Sequence, residues 1–572
     1  MFVSYVELHC HSAFSFLDGA SLPEELVAAA VERGHAAMAL TDHDTVSGSM
    51  EFAQAARQLG LRAIHGAEVT VLDHAGAALQ DARHVTLLVR DARGWSNLCR
   101  LLTRAWSATR ETDARRSLGA PSVTLDDLEE HAAGLVCLSG CARRGVRDEP
   151  TMRRLLAAFG RDAFRVELQR PFARHDRALN RGLTQLAARL GVPCVATGNV
   201  HAHTPMRARL QDTLVAVREH TTLDASEPLR RGNHAHVLAT PEAMAARFED
   251  HPDAVAETAR LAETLAFDLT HDLGYRYPGA EDDGADRDLA QACRASFDHR
   301  YPPGHPLRSE AASRLDEELA LIGHLGLSGF FLLHRDMLEL AREVAAEVRG
   351  PDTARALLPP GRGRGSSVSS IVCYLTGLSH VDPVANKLFL GRFLNDEITA
   401  LPDIDLDFPR DVRERLIPRI HERYGREHSA LVAAFPTYRA RGAIRELGKA
   451  LGLPPGEIER VARGSEGWSA RNVGQDIVTA LGAERLERDG QAGRWRHLAA
   501  LAGEAHGLPR HLSQHSGGMI VATRPLIDCC PVVPAAMEGR QIAMWDKDSC
   551  ADAGFLKIDL LGLGMLSAVE RC

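Results

Sequence analysis

The sequence predicts an α/β protein: a (β/α) barrel at the N-terminal side, then a mixed sheet with helices that is interrupted by a helical stretch. Three observations carry that reading. From Tyr5 to about residue 220, short β-rich runs alternate with helical stretches, the pattern of a parallel sheet or closed barrel. Further on, Ala400-Leu401-Pro402-Asp403-Ile404-Asp405-Leu406-Asp407-Phe408 alternates carboxylates with apolar residues, and Gly554–Gly562 is an apolar run broken by one Lys and one Asp; both read as strands. The stretch from Gly452 to Pro509 reads as helical.

With 572 residues the chain is long enough for three or four domains. At 45% hydrophobic and 25% charged it has the composition of ordinary soluble globular protein. A formal charge of −9 excludes a protein that coats nucleic acid with its whole surface, so any such contact must come from local basic patches. Eleven cysteines lie scattered without a CxxC pair, which suits a reducing compartment. No signal peptide or long apolar span is evident, so a cytoplasmic location without membrane contact is expected.

In chain order, Tyr5–Cys10, Ala37–Thr41, Ala63–Leu72, Val85–Val89, Leu135–Ser139, Phe164–Leu168 and Pro193–Thr197 read as strands. His9, His11, Asp42, His43, Glu68, Cys141, Asn199 and His201 fall near their C-terminal ends, the rim where barrels place chemistry. His9 and His11, two apart on a strand, can face one ion together, and Asp18, His43, Glu68, His84, Cys141 and His201 supply further N, O and S donors. Residues 277–284 read as a polar linker. Ala311–Leu325 is an amphipathic helix, with Leu315, Leu319, Ile322 and Leu325 placed for core packing.

Pro360-Gly361-Arg362-Gly363-Arg364-Gly365-Ser366-Ser367 follows. Its alternating glycines free backbone N–H groups to converge on an anion, the arginines add charge, and the serines can cap the next helix. It reads as a triphosphate cradle, although the glycine spacing is not that of a Walker loop. In the carboxylate strand, Asp403 and Asp405 project from one face about 6.6 Å apart. Like charges that close call for a cation, and an oxygen-only set favours Mg²⁺. Arg410–Arg426 reads as a charged, solvated helix, and Pro436–Lys449 as a basic helix able to follow a phosphate backbone.

Gly363-Arg364-Gly365-Ser366, Pro402–Phe408 and Lys557-Ile558-Asp559 resemble the palm motifs of the bacterial DNA polymerase III alpha subunit family. His511-Leu512-Ser513-Gln514-His515-Ser516-Gly517-Gly518 and Trp545-Asp546-Lys547-Asp548 resemble its damage-inducible, error-prone branch. The resemblance runs along nearly the whole chain. It implies a PHP-type (β/α) barrel with following helices over 1–275, a polymerase palm over 276–432 and 511–572, and a helical thumb over 433–510. It implies template-directed nucleotidyl transfer from dNTPs to primer-template DNA in damage-induced translesion synthesis. Asp403, Asp405 and Asp559 would be Mg²⁺ ligands and Lys557 catalytic. Gly363, Arg364, Gly365, Ser366 and Arg392 would bind nucleotide phosphates, and Arg439, Arg441, Arg445 and Lys449 DNA. In metal-bearing relatives of the barrel, His9, His11, Asp18, His43, Glu68, His84, Cys141 and His201 would hold Zn²⁺ or Mn²⁺, together with an aspartate where this chain has Asn199.

The resemblance also implies fingers and clamp- or accessory-protein-binding regions beyond Cys572, so a chain truncated before its fingers and a poor extender of primers is expected. Two other readings compete. One is a metal-dependent phosphoesterase with an inactive palm; the other is a non-catalytic DNA-binding module.

Overall fold

The computed structural model describes residues 4–110, 119–231, 233–350, 353–395, 401–482 and 492–572. Ala400, and residues 483–491 of the expected helical stretch, lie outside them. The chain divides into two compact units, Met1–Leu273 with Ala434–Ser513, and Gly274–Ala433 with Gln514–Cys572.

The first unit is built on β1 (Ala37–Leu40), β2 (Arg62–Leu72), β3 (Arg83–Val89), β4 (Val123–Thr124), β5 (Leu135–Leu138), β6 (Phe164–Gln169) and β7 (Cys194–Thr197). The strand order is β1-β2-β3-β5-β6-β7, with β4 beside β2. The expectation of parallel pairing throughout is corrected at β3, which runs against both β2 and β5 while β1–β2, β5–β6 and β6–β7 are parallel. The short connection from Leu72 to Arg83 contains only a single 3₁₀ turn, Leu79–Asp81. It is too short for the helical crossover that a parallel pair requires.

Tyr5–Cys10, expected as a strand, is extended but makes only isolated bridges, Glu7 to Met38 and Cys10 to Val200. Those bridges matter for the architecture. Ala39 N–H donates to Glu7 O (2.8 Å), and Val200 N–H donates to His9 O (2.9 Å). The segment therefore lies between β1 and the residues just past β7 and closes the curled sheet, bringing His9 and His11 to its mouth.

The helices Ala440–Ala450, Pro455–Gly464, Val473–Leu481 and Ala492–Ala505 belong to the same unit. Tyr438, Ile444, Leu447, Trp495 and Leu498 share one apolar cluster with Ala13, Ala20, Leu210 and Leu214 of the barrel. Each large side chain buried there stabilises the joint by about 1.5–3 kcal/mol.

The second unit is a sheet of β8 (Arg362–Arg364), β9 (Asp405–Pro409), β10 (Ser429–Ala434), β11 (Ser513–Val521), β12 (Val532–Pro534), β13 (Gln541–Ala543) and β14 (Lys557–Leu563) in the order β12-β13-β10-β11-β14-β9-β8. Leu406, Phe408, Ile558 and Leu560 alternate into a core shared with Ile322, Phe330, Phe331 and Met337 of the preceding helices. Residues 277–284 are no free spacer, because Tyr277 packs against this core.

The helix Arg410–Tyr424 is not the solvated element that its charge suggested. Val412, Arg413, Leu416, Ile417 and Ile420 are buried, and Arg413 is tied to Leu560 O (3.1 Å) and Ser516 O. Its charges interleave with an apolar stripe, and composition alone hides that stripe. Among the described residues no helix is long and apolar enough to cross a membrane.

Candidate active site and metal centre

Asp405 opens β9, with Asp403 in the extended lead-in. β14 runs parallel to β9 with Leu560 opposite Leu406, so one step back in register Asp559 arrives beside Asp405. Oxygens of Asp403, Asp405 and Asp559 lie within 4.8 Å of one another. Burial raises the pKa of Asp403, partly countered by Lys557, and burial followed by the Asp403 charge raises that of Asp405. Lys557 Nζ donates to Asp559 Oδ2 at 2.6 Å. Burial works against the ammonium, but the hydrogen bond and the aspartate charges outweigh it and raise its pKa.

The other Asp559 oxygen, Oδ1, is buried without a hydrogen-bond partner. A buried carboxylate oxygen left bare is costly. Three converging carboxylates with one bare oxygen fit a hard divalent cation.

β8 pairs antiparallel with β9, Arg364 opposite Asp405 and Gly363 opposite Leu406. Arg364 reaches Asp405 Oδ2 and Asp407 Oδ1, each at 3.1 Å. The amide-cradle expectation is corrected here. Gly363 N–H already donates to Leu378 O at 2.6 Å. A Cβ at Gly361 would lie 2.5 Å from Phe408 Cδ1, and one at Gly363 2.5 Å from Leu378 O. These two glycines therefore permit close packing of backbone on core rather than present amides to an anion. Arg364, Gly365, Ser366 and Arg392 are exposed. The helix Ile371–Leu375 is capped by Ser370, which accepts from Cys373 N–H, rather than by Ser366 or Ser367.

His515 stands behind the cluster, its Nδ1 accepting from Gly518 N–H at 2.8 Å, and Gly518 pairs with Asp559. Two contributors escaped the sequence reading. On the helix Arg308–His324, buried Glu318 accepts from Ser370 Oγ and from the N–H groups of Ile371 (3.0 Å) and Val372 (3.2 Å). One turn earlier, Arg314 donates to Ser369 O (2.6 Å) and Leu388 O (2.7 Å). Only the i, i+4 spacing of an Arg and a Glu inside an apolar helix hinted at this.

In the first unit, His9, His11 and Glu68 form one group whose ligand atoms lie within 4.8 Å of one another, and His43, Glu68 and His84 a second. His9 Nε2 and His11 Nε2 are 3.1 Å apart, and Cys141 Sγ is 4.0 Å from His84 Nδ1. His84 begins its strand yet reaches the C-terminal rim of the others, because β3 is reversed. Glu68 Oε2 accepts from His43 Nδ1 at 2.9 Å, while Oε1 has no hydrogen-bond partner. Burial opposes the charged form of His9, but the adjoining Glu167 carboxylate outweighs it and lifts the pKa to about 10.

Glu167 was not foreseen. Buried on β6, it accepts from His9 Nδ1 (2.7 Å), Gln169 Nε2 (2.6 Å) and Thr197 Oγ1, and so orients the ring. Asp42, expected at the rim, points elsewhere. It accepts from Ser12 N–H (2.6 Å), Ser12 Oγ and Ser15 Oγ (both 2.7 Å), pinning the loop that carries His11.

Asp18 and His201 are close together, with Oδ2 3.3 Å from Nε2, but Arg231 contacts both. Asn199 adopts a positive φ of 49°, and its Oδ1 is buried without a hydrogen-bond partner.

Of the expected DNA-binding cations, Arg439, Arg441 and Lys449 are exposed. Arg439 lies over the ring of the 74% exposed Trp468 at 5.5 Å. Arg441 donates to Ser465 O at 3.0 Å. Arg445 is held by both oxygens of Glu459, at 3.0 and 3.2 Å.

Comparison with known proteins gives two domain matches, the second of which runs through both units. Residues 7–171 match the PHP domain model, and residues 287–562 match the bacterial DNA polymerase III alpha NTPase domain model. Over 99% of its length the chain is 37% identical to an error-prone DNA polymerase of Mycolicibacterium paratuberculosis, covering 50% of that protein. It is 35% identical to that of Nocardia farcinica and 36% identical to that of Pseudomonas paraeruginosa, again over 99% of the chain and covering 52% of each. The chain thus spans about half the length of the curated relatives it matches. It carries a PHP domain followed by a bacterial DNA polymerase III alpha domain, and along nearly all of its length it is similar to error-prone DNA polymerases about twice as long.

Proposed function

We propose that this chain carries the nucleotidyl-transfer site of an error-prone DNA polymerase, which joins a dNMP to a primer 3′ end during translesion synthesis. The observation that carries the reading is the convergence of Asp403, Asp405 and Asp559 around the bare Oδ1 of Asp559. Divalent ions held there, Mg²⁺ by the oxygen-only chemistry of the set, would activate the primer hydroxyl and offset charge on the leaving pyrophosphate.

The chain's own residues do the rest. Lys557 fixes Asp559 through Oδ2 and keeps Oδ1 free to ligate. Arg364, 49% exposed at its side chain, neutralises Asp405 and Asp407 in the free protein and can turn to an incoming triphosphate, with Ser366 and Arg392 as further phosphate contacts. Gly365, exposed and at a φ of 78°, would let the loop approach the nucleotide closely, whereas Gly363 seats it on the core. Arg439, Arg441 and Lys449 would follow the primer-template backbone, and Trp468 offers a face on which a base can stack.

The barrel's mixed N, O and S donors around Glu68 suit Zn²⁺ or Mn²⁺ rather than Mg²⁺. The protein would work in the cytoplasm, where its eleven free thiols stay reduced. Sliding clamp and accessory proteins would be partners of the longer relatives' remaining parts.

The test is single-nucleotide incorporation by this chain continued into the second half of the Mycolicibacterium relative. Asp405→Asn and Asp559→Asn should each abolish incorporation while leaving thermal melting intact. Incorporation at the unsubstituted rate by either variant would overturn the assignment.

A further inference from the structure

The two ends of the barrel's donor cluster differ in what they face. Around Glu68, ligand nitrogens of His9, His11, His43 and His84 gather, and Oε1 of the carboxylate makes no hydrogen bond, with His84 Nδ1 at 3.4 Å and His9 Nε2 at 3.5 Å, an arrangement that a cation among them can fill. At the other end, the positions that matter are taken. Arg231 Nη2 lies 2.8 Å from Asp18 Oδ2 and also donates to His201 Nε2. Arg218 Nη1 lies 3.3 Å from the second oxygen of Asp18. His201 Nδ1–H donates to Asn199 O at 2.9 Å, so the lone pair on Nε2 is the only one the ring can offer a metal, and Arg231 uses it.

The Arg231 side chain is 14% exposed. Its fork therefore sits inside the cluster and not at the surface, and it brings a charge that does not titrate.

Charge bookkeeping points the same way. Among the described residues Asp18 is the one carboxylate placed against His201, because Asn199 is neutral, and it already faces two guanidinium groups. A divalent ion placed between Asp18 and His201 would meet Arg231 within van der Waals distance and would have to displace it. The unpartnered Oδ1 of Asn199 marks where an anionic ligand would have added the charge needed to do so. The full eight-residue ligand set expected from the sequence does not fit this corner.

We infer that Arg231 is a built-in cation that occupies the Asp18–His201 corner, so that metal binding in the barrel is confined to the Glu68 side. The inference rests on the reading that the barrel binds divalent ions, yet the two fail separately. Metal per chain is measured by mass spectrometry after equilibrium dialysis against Zn²⁺ alone, and again against Mn²⁺ alone. The chains compared are the unsubstituted protein, Arg231→Met, Asn199→Asp and the double variant, each checked for fold by circular dichroism.

Asn199→Asp should match the unsubstituted protein, and the double variant should gain one ion. An extra ion in Asn199→Asp alone, or none in a folded double variant, overturns the role of Arg231. Absence of metal from the unsubstituted protein, with a gain in the double variant, overturns binding at the Glu68 side and supports the occupation of the Asp18–His201 corner by Arg231. Asp18→Asn in the otherwise unchanged protein gives an independent check. Metal content should not change, and the loss of one equivalent would show that Asp18 is a ligand after all.

Discussion

Replacing Glu318 with alanine should loosen the floor of the Gly365–Ser369 loop without touching any of the proposed phosphate-contacting residues. The carboxylate is fully buried and accepts from Ser370 Oγ and from the N–H groups of Ile371 and Val372, the first amides of the helix that follows Gly365–Ser369. Alanine strands both amides, at about 1–3 kcal/mol each, so the opening of this helix should become easier by about 4 kcal/mol. That is a large share of the 5–15 kcal/mol that holds a typical domain together.

Because the chain has two units, a single unfolding midpoint would blur the effect. Hydrogen exchange of the Ile371 and Val372 amides reads it locally, and roughly 1,000-fold faster opening is expected. Glu318→Gln keeps one acceptor oxygen and should lose about 1–2 kcal/mol. Burial raises the Glu318 pKa from 4.5. Its contribution is therefore fully present below pH 4.5 and declines as pH rises through the raised value, so the gap between unsubstituted and Gln proteins should narrow in that direction. Protection in Glu318→Ala within tenfold of the unsubstituted protein would refute the reasoning.

Tyr275 Oη donates to Val521 O (2.7 Å) and accepts from Leu556 N–H (3.2 Å). Tyr275→Phe should destabilise the second unit by about 1–3 kcal/mol, read as a lower urea midpoint of the Trp545 signal; an unchanged midpoint would count against that pairing. His334 is buried, donates from Nδ1 to Phe330 O (2.9 Å), and has its pKa pushed by burial from 6.5 to about 4. The neutral ring thus contributes stability above pH 6.5 that is lost as pH falls toward 4, at most about 3 kcal/mol, and His334→Gln should flatten that part of the pH–stability curve. In salt titrations of DNA binding, Lys449→Ala should lower the log–log slope by about 0.9. Arg445→Ala, already paired with Glu459, should change it far less; equal effects would show that the pair opens on DNA.

The palm carboxylates were legible in the sequence because their signal is local. Strict alternation at Asp403, Ile404, Asp405 and Leu406 sorts charge from core within a few residues, and a Lys and an Asp inside the apolar run at 557–559 demand partners wherever they fold. Donor types in the barrel were legible for the same reason: imidazole, thiol and carboxylate chemistry belongs to the residue itself. What a side chain meets across hundreds of residues is not written in its neighbourhood. The reversal of β3, which carries His84 to the rim, follows from a short connection whose pairing only the closed sheet makes visible. Glu318 looked like one more polar position on an amphipathic helix until the chain returned with the amides of Ile371 and Val372. Arg231 lies in an unpatterned stretch, and only the fold sets its guanidinium between Asp18 and His201. Periodicity and functional-group chemistry are properties of short segments, whereas the partner that satisfies a buried charge is selected by packing. Packing exists only once the whole chain has closed around it.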